Sequence, residues 1–158
     1  MSHPHSPRLN NPLERLAGYQ LRRASVAVSS DLAERLESLG LTVVSLSLVL
    51  LIEANPGVTQ SQLGRLLAIK RANMAPMTAQ LLKRSLVARH AADGRSQGLL
   101  LTDDGKALAR QGWAAVGESE RKFFGKLSAR EAEHIAQTFR AVWASSAREV
   151  ESAATQEL

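Results

Sequence analysis

Two groups of residues in this 158-residue chain have the types and spacing to do chemistry. Gly94-Arg95-Ser96-Gln97-Gly98 matches the Gly-x-Ser-x-Gly pattern of a hydrolase nucleophile, and Asp103, Asp104 and His134 come after it in the order a catalytic triad would need. The second group is cationic. Between Thr59 and Gln97 lie Arg65, Lys70, Arg71, Lys83, Arg84, Arg89 and Arg95 against a single acid, Asp93. Seven bases and one acid make that stretch net +6, while the other residues carry 13 bases and 14 acids, so the whole-chain +5 is one localised module. Clustered Lys and Arg draw a polyanion, because each one placed against a phosphate releases a condensed counterion.

The elements around these residues decide between the two chemistries. A nucleophilic serine needs a strand before it and a helix after it, on top of a parallel sheet. Here Leu86 to Ala91 and Gly98 to Leu101 read as two short strands around the polar tip Asp93 to Gln97, and no alternating strand–helix pattern exists. A serine hydrolase is therefore the weaker alternative. The basic stretch, in contrast, coincides with two short helices and a hairpin. Thr59-Gln60-Ser61-Gln62 is a capping box that opens a helix with Leu63, Leu66 and Leu67 on one face, ending near Ala68. The next helix carries Met74, Met77, Leu81 and Leu82. Its Pro76 is comfortable only if the helix begins near Arg71 to Asn73, where the early amides have no partner. The six aromatic residues do not interleave with these bases, and five lie after residue 112. That disfavours a base-stacking platform for single strands and favours reading of a duplex.

The flanking sequence is helical. Apolar residues recur at helical spacing from Leu13 to Leu39, predicting a first helix of roughly 40 Å closed by Gly40. Thr42 to Ala54 predicts a second, almost wholly apolar helix, closed by the Asn55-Pro56-Gly57 turn. Thr102 caps a helix that begins with Asp103 and Asp104 and runs to about Gly125. Ser128-Ala129-Arg130-Glu131 is a second capping box, opening a last helix with Ile135, Phe139, Val142 and Trp143 on its apolar side. A first helix of that length outreaches a core of this size, and a two-fold dimer through both chain ends is the simplest cover for its apolar face.

Composition narrows the classes further. With no cysteine, a thiol switch, a thiolate zinc site and a disulfide framework are excluded, and a reducing cytoplasm is the expected compartment. Met1 to Pro12 is polar, with three prolines and no apolar run, so it reads as a flexible lead-in rather than a secretion signal. The longest apolar run, Val43 to Ile52, is interrupted by Ser45 and Ser47 and is far short of the ~20 residues that span a bilayer, so no membrane association is expected. His3, His5, His90 and His134 are too scattered to chelate, and neither metal nor cofactor is expected.

This order of elements resembles the MarR family of bacterial transcriptional regulators from about Leu13 onward. Its most specific stretch is Asp93-Gly94-Arg95-Ser96, then Leu99-Leu100-Leu101-Thr102-Asp103-Asp104-Gly105, which matches the family's Asp-x-Arg-[Ser/Asp] … Leu-Thr-x-x-Gly pattern. Thr59 to Leu63 and Leu81 to Arg89 resemble the family's helix-turn-helix and its exit, except that Ser85 stands where a Gly usually ends the recognition helix. If the backbone is left-handed there, Ser costs on the order of 1 kcal/mol relative to Gly.

The resemblance implies a mainly α fold with a small β-hairpin wing. Residues 40–105 would form a winged helix-turn-helix DNA-binding domain, and residues 13–39 and 106–158 a helical dimerisation region behind a 1–12 lead-in. It implies a homodimer on a near-palindromic duplex, with half-sites about 10 bp apart. The helix near Arg71 would enter the major groove, with Arg71 and Asn73 at base edges and Thr59, Ser61, Gln62 and Lys70 on phosphates. Arg95, oriented by Asp93 and next to Ser96, would reach the minor groove. A small organic effector, an aromatic acid or its thioester, would bind between the dimer helices and the DNA-binding lobe near Arg22, Arg23, Ser45 and Ser47. The bland reading of these four is solvated charge for the arginines and back-bonding to the preceding turn for the serines. A non-specific architectural DNA protein is the other binding alternative.

Overall fold

The computed structural model describes residues 10–91 and 97–156, apart from the side chains of Ala91 and of residues 145–156. A single 3-10 turn, Pro12–Arg15, precedes α1 (Ala17–Glu37) and α2 (Val43–Ala54). Then come β1 (Val58–Thr59), α3 (Gln60–Leu66), α4 (Arg71–Lys83), β2 (Val87–Ala91) and β3 (Gln97–Leu101). Two long helices, α5 (Asp103–Phe124) and α6 (Ala129–Gln156), complete the order. The chain divides into two compact units, one up to Ser119 and one from Glu120.

One expectation is corrected at the start. The periodicity predicts one helix from Leu13, but the chain breaks at Leu16, whose backbone is extended (φ −89°, ψ 119°). The Asn11 side chain accepts from the Leu13 amide and Pro12 favours the first position, so a separate turn forms, closed by the Leu16 amide on the Leu13 carbonyl at 2.9 Å. The remaining helix has 21 residues, about 30 Å at the usual rise.

Two apolar clusters organise the first unit. One joins Leu48, Val49 and Ile52 of α2 to Leu63 of α3, Met74 and Leu81 of α4, and Leu99 of β3. The large members are almost wholly withdrawn from water, each worth about 1.5–3 kcal/mol. The other joins Leu36, Leu41 and Leu46, with Ala115 and Val116 of α5 packed against them. Beside it the Asp31 carboxylate is buried and accepts from Arg35 Nε at 2.7 Å, while Arg35 Nη1 reaches Glu118 of α5. The hydrogen bond to Asp31 raises the Arg35 pKa above its ordinary value, against the desolvation that opposes it. Sequence reasoning singled out none of these three residues.

The wing is a three-stranded antiparallel sheet in the order β1-β3-β2, with Val58 opposite Leu99 and Val87 opposite Leu101. The sequence predicts only the outer hairpin. The third strand is two residues long, too short for any periodicity, and it forms because Gly57 turns at φ +85° and gives its amide to the Leu99 carbonyl at 2.9 Å. Ser85 is left-handed (φ 56°), as the Gly-like position requires. Its carbonyl accepts from the Thr102 hydroxyl at 2.7 Å, and Thr102 Oγ1 accepts in turn from the Gly105 amide at 3.0 Å. A Cβ on Gly105 would lie 2.0 Å from the Leu86 carbonyl oxygen, so no larger residue can hold that place without moving the strand. The Thr-x-x-Gly spacing is thus a clasp between the exit of α4 and the start of α5.

In the second unit, α6 opens on the predicted capping box: the Ser128 amide donates to Glu131 at 2.8 Å and the Glu131 amide to Ser128 Oγ at 3.3 Å.

Candidate nucleic-acid interface

The helix-turn-helix is set by its caps. Thr59 and Gln62 form the expected reciprocal pair: the Thr59 amide donates to Gln62 Oε1 at 2.8 Å and the Gln62 amide to Thr59 Oγ1 at 3.3 Å. The Thr59 hydroxyl also donates to Gln62 Oε1 at 2.9 Å. That bond occupies the hydroxyl proton, whereas Gln62 keeps its amide nitrogen. Ser61 is exposed beside them. α3 ends at Leu66, and the chain turns through Ala68 at φ 52° into Lys70, which caps α4 without a side-chain bond.

α4 has one face inside and one outside. Met74, Thr78 and Leu81 are buried at i, i+4 and i+7, and the Thr78 hydroxyl donates back to the Met74 and Ala75 carbonyls at 3.1 Å, so no polar group there is stranded. Arg71 and Asn73 are both exposed in the first turn. Two residues apart on a helix, they project in different directions and do not converge on one base pair. Diametrically across from the buried face run Ala72, Pro76, Ala79 and Lys83, all exposed, with Asn73 and Gln80 seven residues apart on one flank. Sequence reasoning singled out Arg71 and Asn73 and missed Gln80. The helix register, counted outward from Met74 and Leu81, locates it.

α4 begins at Arg71, the early end of the expected range, which puts Pro76 sixth in the helix. There an ordinary residue would give its amide to the Ala72 carbonyl, and proline gives nothing. Both residues are exposed, so water can serve that carbonyl.

The basic side chains divide by role. Arg65, Lys70, Arg71, Lys83 and Arg89 are exposed. Arg84 is also exposed but forks onto main chain, Nη1 to the Gly40 carbonyl at 2.6 Å and Nη2 to the Leu39 carbonyl at 2.9 Å. It closes the end of α1 rather than standing ready for a phosphate. Asp93, Arg95 and Ser96 lie outside the described residues, as does most of the Gly94 to Gly98 pattern. The chain leaves that pattern as an antiparallel strand, β3, not as the helix a nucleophile elbow needs.

The four candidate effector residues are locally engaged or exposed. Arg22 is exposed. Arg23 donates to the Tyr19 hydroxyl at 3.2 Å, and the Asn11 side chain first and this bond second lower the Tyr19 pKa. Ser45 Oγ pairs with Thr42 Oγ1 at 2.8 Å, and Ser47 donates to the Val43 carbonyl at 3.0 Å, the back-bond of the bland reading. Ser45 also lines a cavity of about 470 Å³ with Thr42, Gln80, Lys83 and Arg84. Among the described residues no group of three or more His, Asp or Glu could hold a metal ion. No described helix is long and apolar enough to cross a membrane.

Comparison with known proteins agrees with this arrangement. A family profile described as the MarR family matches residues 41–96. The HTH-type transcriptional repressor Rv2887 of Mycobacterium tuberculosis is 28% identical over 114 residues, 71% of this chain and 82% of the relative. Among solved structures, the transcriptional repressor CouR bound to a 23-mer DNA duplex is 30% identical, with a TM-score of 0.75 over 88% of this chain and 99% of that one. CouR bound to p-coumaroyl-CoA is 27% identical, with a TM-score of 0.74 over 86% and 97%. Rv2887 in complex with p-aminosalicylic acid is 25% identical, with a TM-score of 0.64 over 80% and 97%.

Proposed function

This chain belongs to the MarR family of winged helix-turn-helix regulators, and from that premise we propose a repressor that grips a near-palindromic operator as a homodimer and is released by a small organic effector. The observation that carries this reading is the outer surface of α3 and α4, where Ser61, Gln62, Arg65, Lys70, Arg71 and Asn73 all lie at least partly open to solvent on one basic lobe. We assign Ser61, Gln62 and Lys70 to phosphates, which set register, and Arg71 and Asn73 to base edges, where Arg suits guanine and Asn suits adenine. Thr59 acts by holding Gln62. Arg95 and Ser96, with Asp93 orienting the arginine, are the wing's contacts to the minor groove. Residues 40–105 serve as the DNA-binding lobe, and residues 13–39 and 106–158 as the dimerisation region.

The effector is an organic anion, by analogy with the aromatic acid on Rv2887 and the aromatic thioester on CouR. Arg22, Arg23 and Ser45 are its contacts. Ser45 is favoured by the cavity it shares with Lys83 and Arg84, a size within the range of small-ligand sites. Ser47, with its proton on the Val43 carbonyl, has the weakest claim. The effector loosens DNA only by its differential affinity for the two lobe arrangements. Such a protein works beside the chromosome, in the cytoplasm, and is not an enzyme.

The test is binding to duplex from the region upstream of its own gene against random duplex at matched salt, with the mass in solution from light scattering. A dimer that holds the upstream duplex at least about a hundredfold more tightly supports the regulator. Equal affinity for both supports an architectural DNA protein. A monomer with no grip on duplex at low salt removes the reading.

A further inference from the structure

The most outward strip of the recognition helix is hydrocarbon. Ala72, Pro76 and Ala79 succeed one another at i, i+4 and i+7, all exposed, and no charge appears on that line until Lys83. Small polar residues would suit solvent equally well, and proline is the worst choice for a helix interior. Pro76 nevertheless stands in the middle of the strip, leaving the Ala72 carbonyl without a helix donor. An apolar ring held out in water at a cost to its own helix calls for an apolar counterpart. In the major groove each base pair shows donors and acceptors, and the one hydrocarbon group there is the C5 methyl of thymine. Along the flank of the strip, Asn73 and Gln80 carry the carboxamides that match the N6/N7 edge of adenine, thymine's partner.

We propose that α4 specifies its half-site chiefly through A·T pairs, with Ala72, Pro76 and Ala79 packing on thymine methyls and Asn73 and Gln80 bonding adenine edges. Arg71, on a different side of the helix, reads at the margin of this patch. The proposal rests on α4 entering the major groove, and it makes Pro76 and Gln80 specificity residues.

The experiment begins with selection of bound sequences from a random duplex library by the full-length protein. Each thymine of the selected half-site is then replaced by deoxyuridine, which removes one methyl and nothing else. Affinity is measured by fluorescence anisotropy at fixed salt. At two or more thymines per half-site the loss is about fourfold each, the worth of one buried methyl. Thymines elsewhere lose less than about twofold. In Pro76→Ser the ring is gone and the amide restored, so melting temperature holds or rises while thymine-over-uracil preference at one position falls toward one. A merely structural proline could not produce that split. Gln80→Ala loses its preference for adenine over 7-deazaadenine at one position. Half-sites made of guanine, or uracil tolerated within about twofold at every thymine, overturn the proposal. Failure to select any duplex removes instead the DNA-binding reading beneath it.

Discussion

The DNA-binding lobe and the chain-end helices are built on opposite terms. In the lobe α2, α3, α4 and β3 each place at least one large side chain almost wholly out of water, and the elements are short because each has a neighbour to lean on. By contrast, α1 buries only Asp31 and Leu36 over 21 residues, and no described residue of α6 is buried. These helices instead show water Val26, Phe139, Val142 and Trp143, with Leu16 just before α1. A helix draws most of its stability from an amphipathic face packed on something, and apolar faces left open mark an interaction surface. The lobe is stabilised by its own contacts. The exposed apolar side chains of the chain-end helices are what the proposed dimer would cover.

The sharpest way to break that contrast is to open the lobe. Leu81→Ala removes a side chain at 2% exposure from the centre of the core, with an expected cost of about 2–5 kcal/mol. The check is chemical denaturation, and a loss under about 1 kcal/mol would mean the core is looser than its burial indicates. Next in size is Phe139→Asp, on an exposed site. It leaves the lobe's fold intact but converts the dimer to monomer by light scattering and removes the concentration dependence of melting. Retention of the dimer would show that α6 is not the covered face.

The contrast also accounts for what the sequence made legible. The lobe was readable because its signals are local: the Thr59/Gln62 box, the Asn55-Pro56-Gly57 turn and the Thr102 cap all appear where their residue types require. Interactions between distant residues were not readable. In the sequence Arg84 is only one more member of the basic stretch, and only the fold brings the Gly40 and Leu39 carbonyls to it, across 44 and 45 residues. The Asp31–Arg35–Glu118 chain was hidden for the same reason, since nothing in α1 marks which of its acids faces inward. Within the site, types alone favoured Arg71 and Asn73, but which residues share a face needs the register of α4, and that register brings Gln80 forward.

Arg84 is the joint between the two regions, because α4 belongs to the lobe's cluster and Leu39 packs with α1's. Arg84→Ala is expected to cost about 1 kcal/mol, since exposed bonds to carbonyls are partly replaced by water, and to lower the melting temperature by about 2–4 °C. Lysine at this position restores part of the loss, as it can reach one carbonyl but not fork onto two. If Arg84 touched phosphate instead, the alanine variant would flatten the salt dependence of DNA binding by about one unit of slope and leave melting unchanged.

The smallest effect separates the two regions by pH. Both open a helix with a capping box, but the lobe uses the neutral Gln62 and α6 uses the carboxylate of Glu131. The Ser128 hydroxyl, at 2.7 Å, and then its amide hold the Glu131 pKa below the usual 4.5. A depressed folded pKa means the unfolded chain takes up the proton first on acidification. The box therefore supports α6 fully above the unfolded value and fades as pH falls through the folded one. Amide exchange and chemical shifts of residues 128–132 should show the first turn of α6 loosening between about pH 5 and pH 3, while residues 59–63 of α3 do not respond. Glu131→Gln keeps an acceptor for Ser128 but has no proton to gain, so it flattens the response. An equal response in the wild type and the glutamine variant would place the acid sensitivity elsewhere and leave the two caps equivalent.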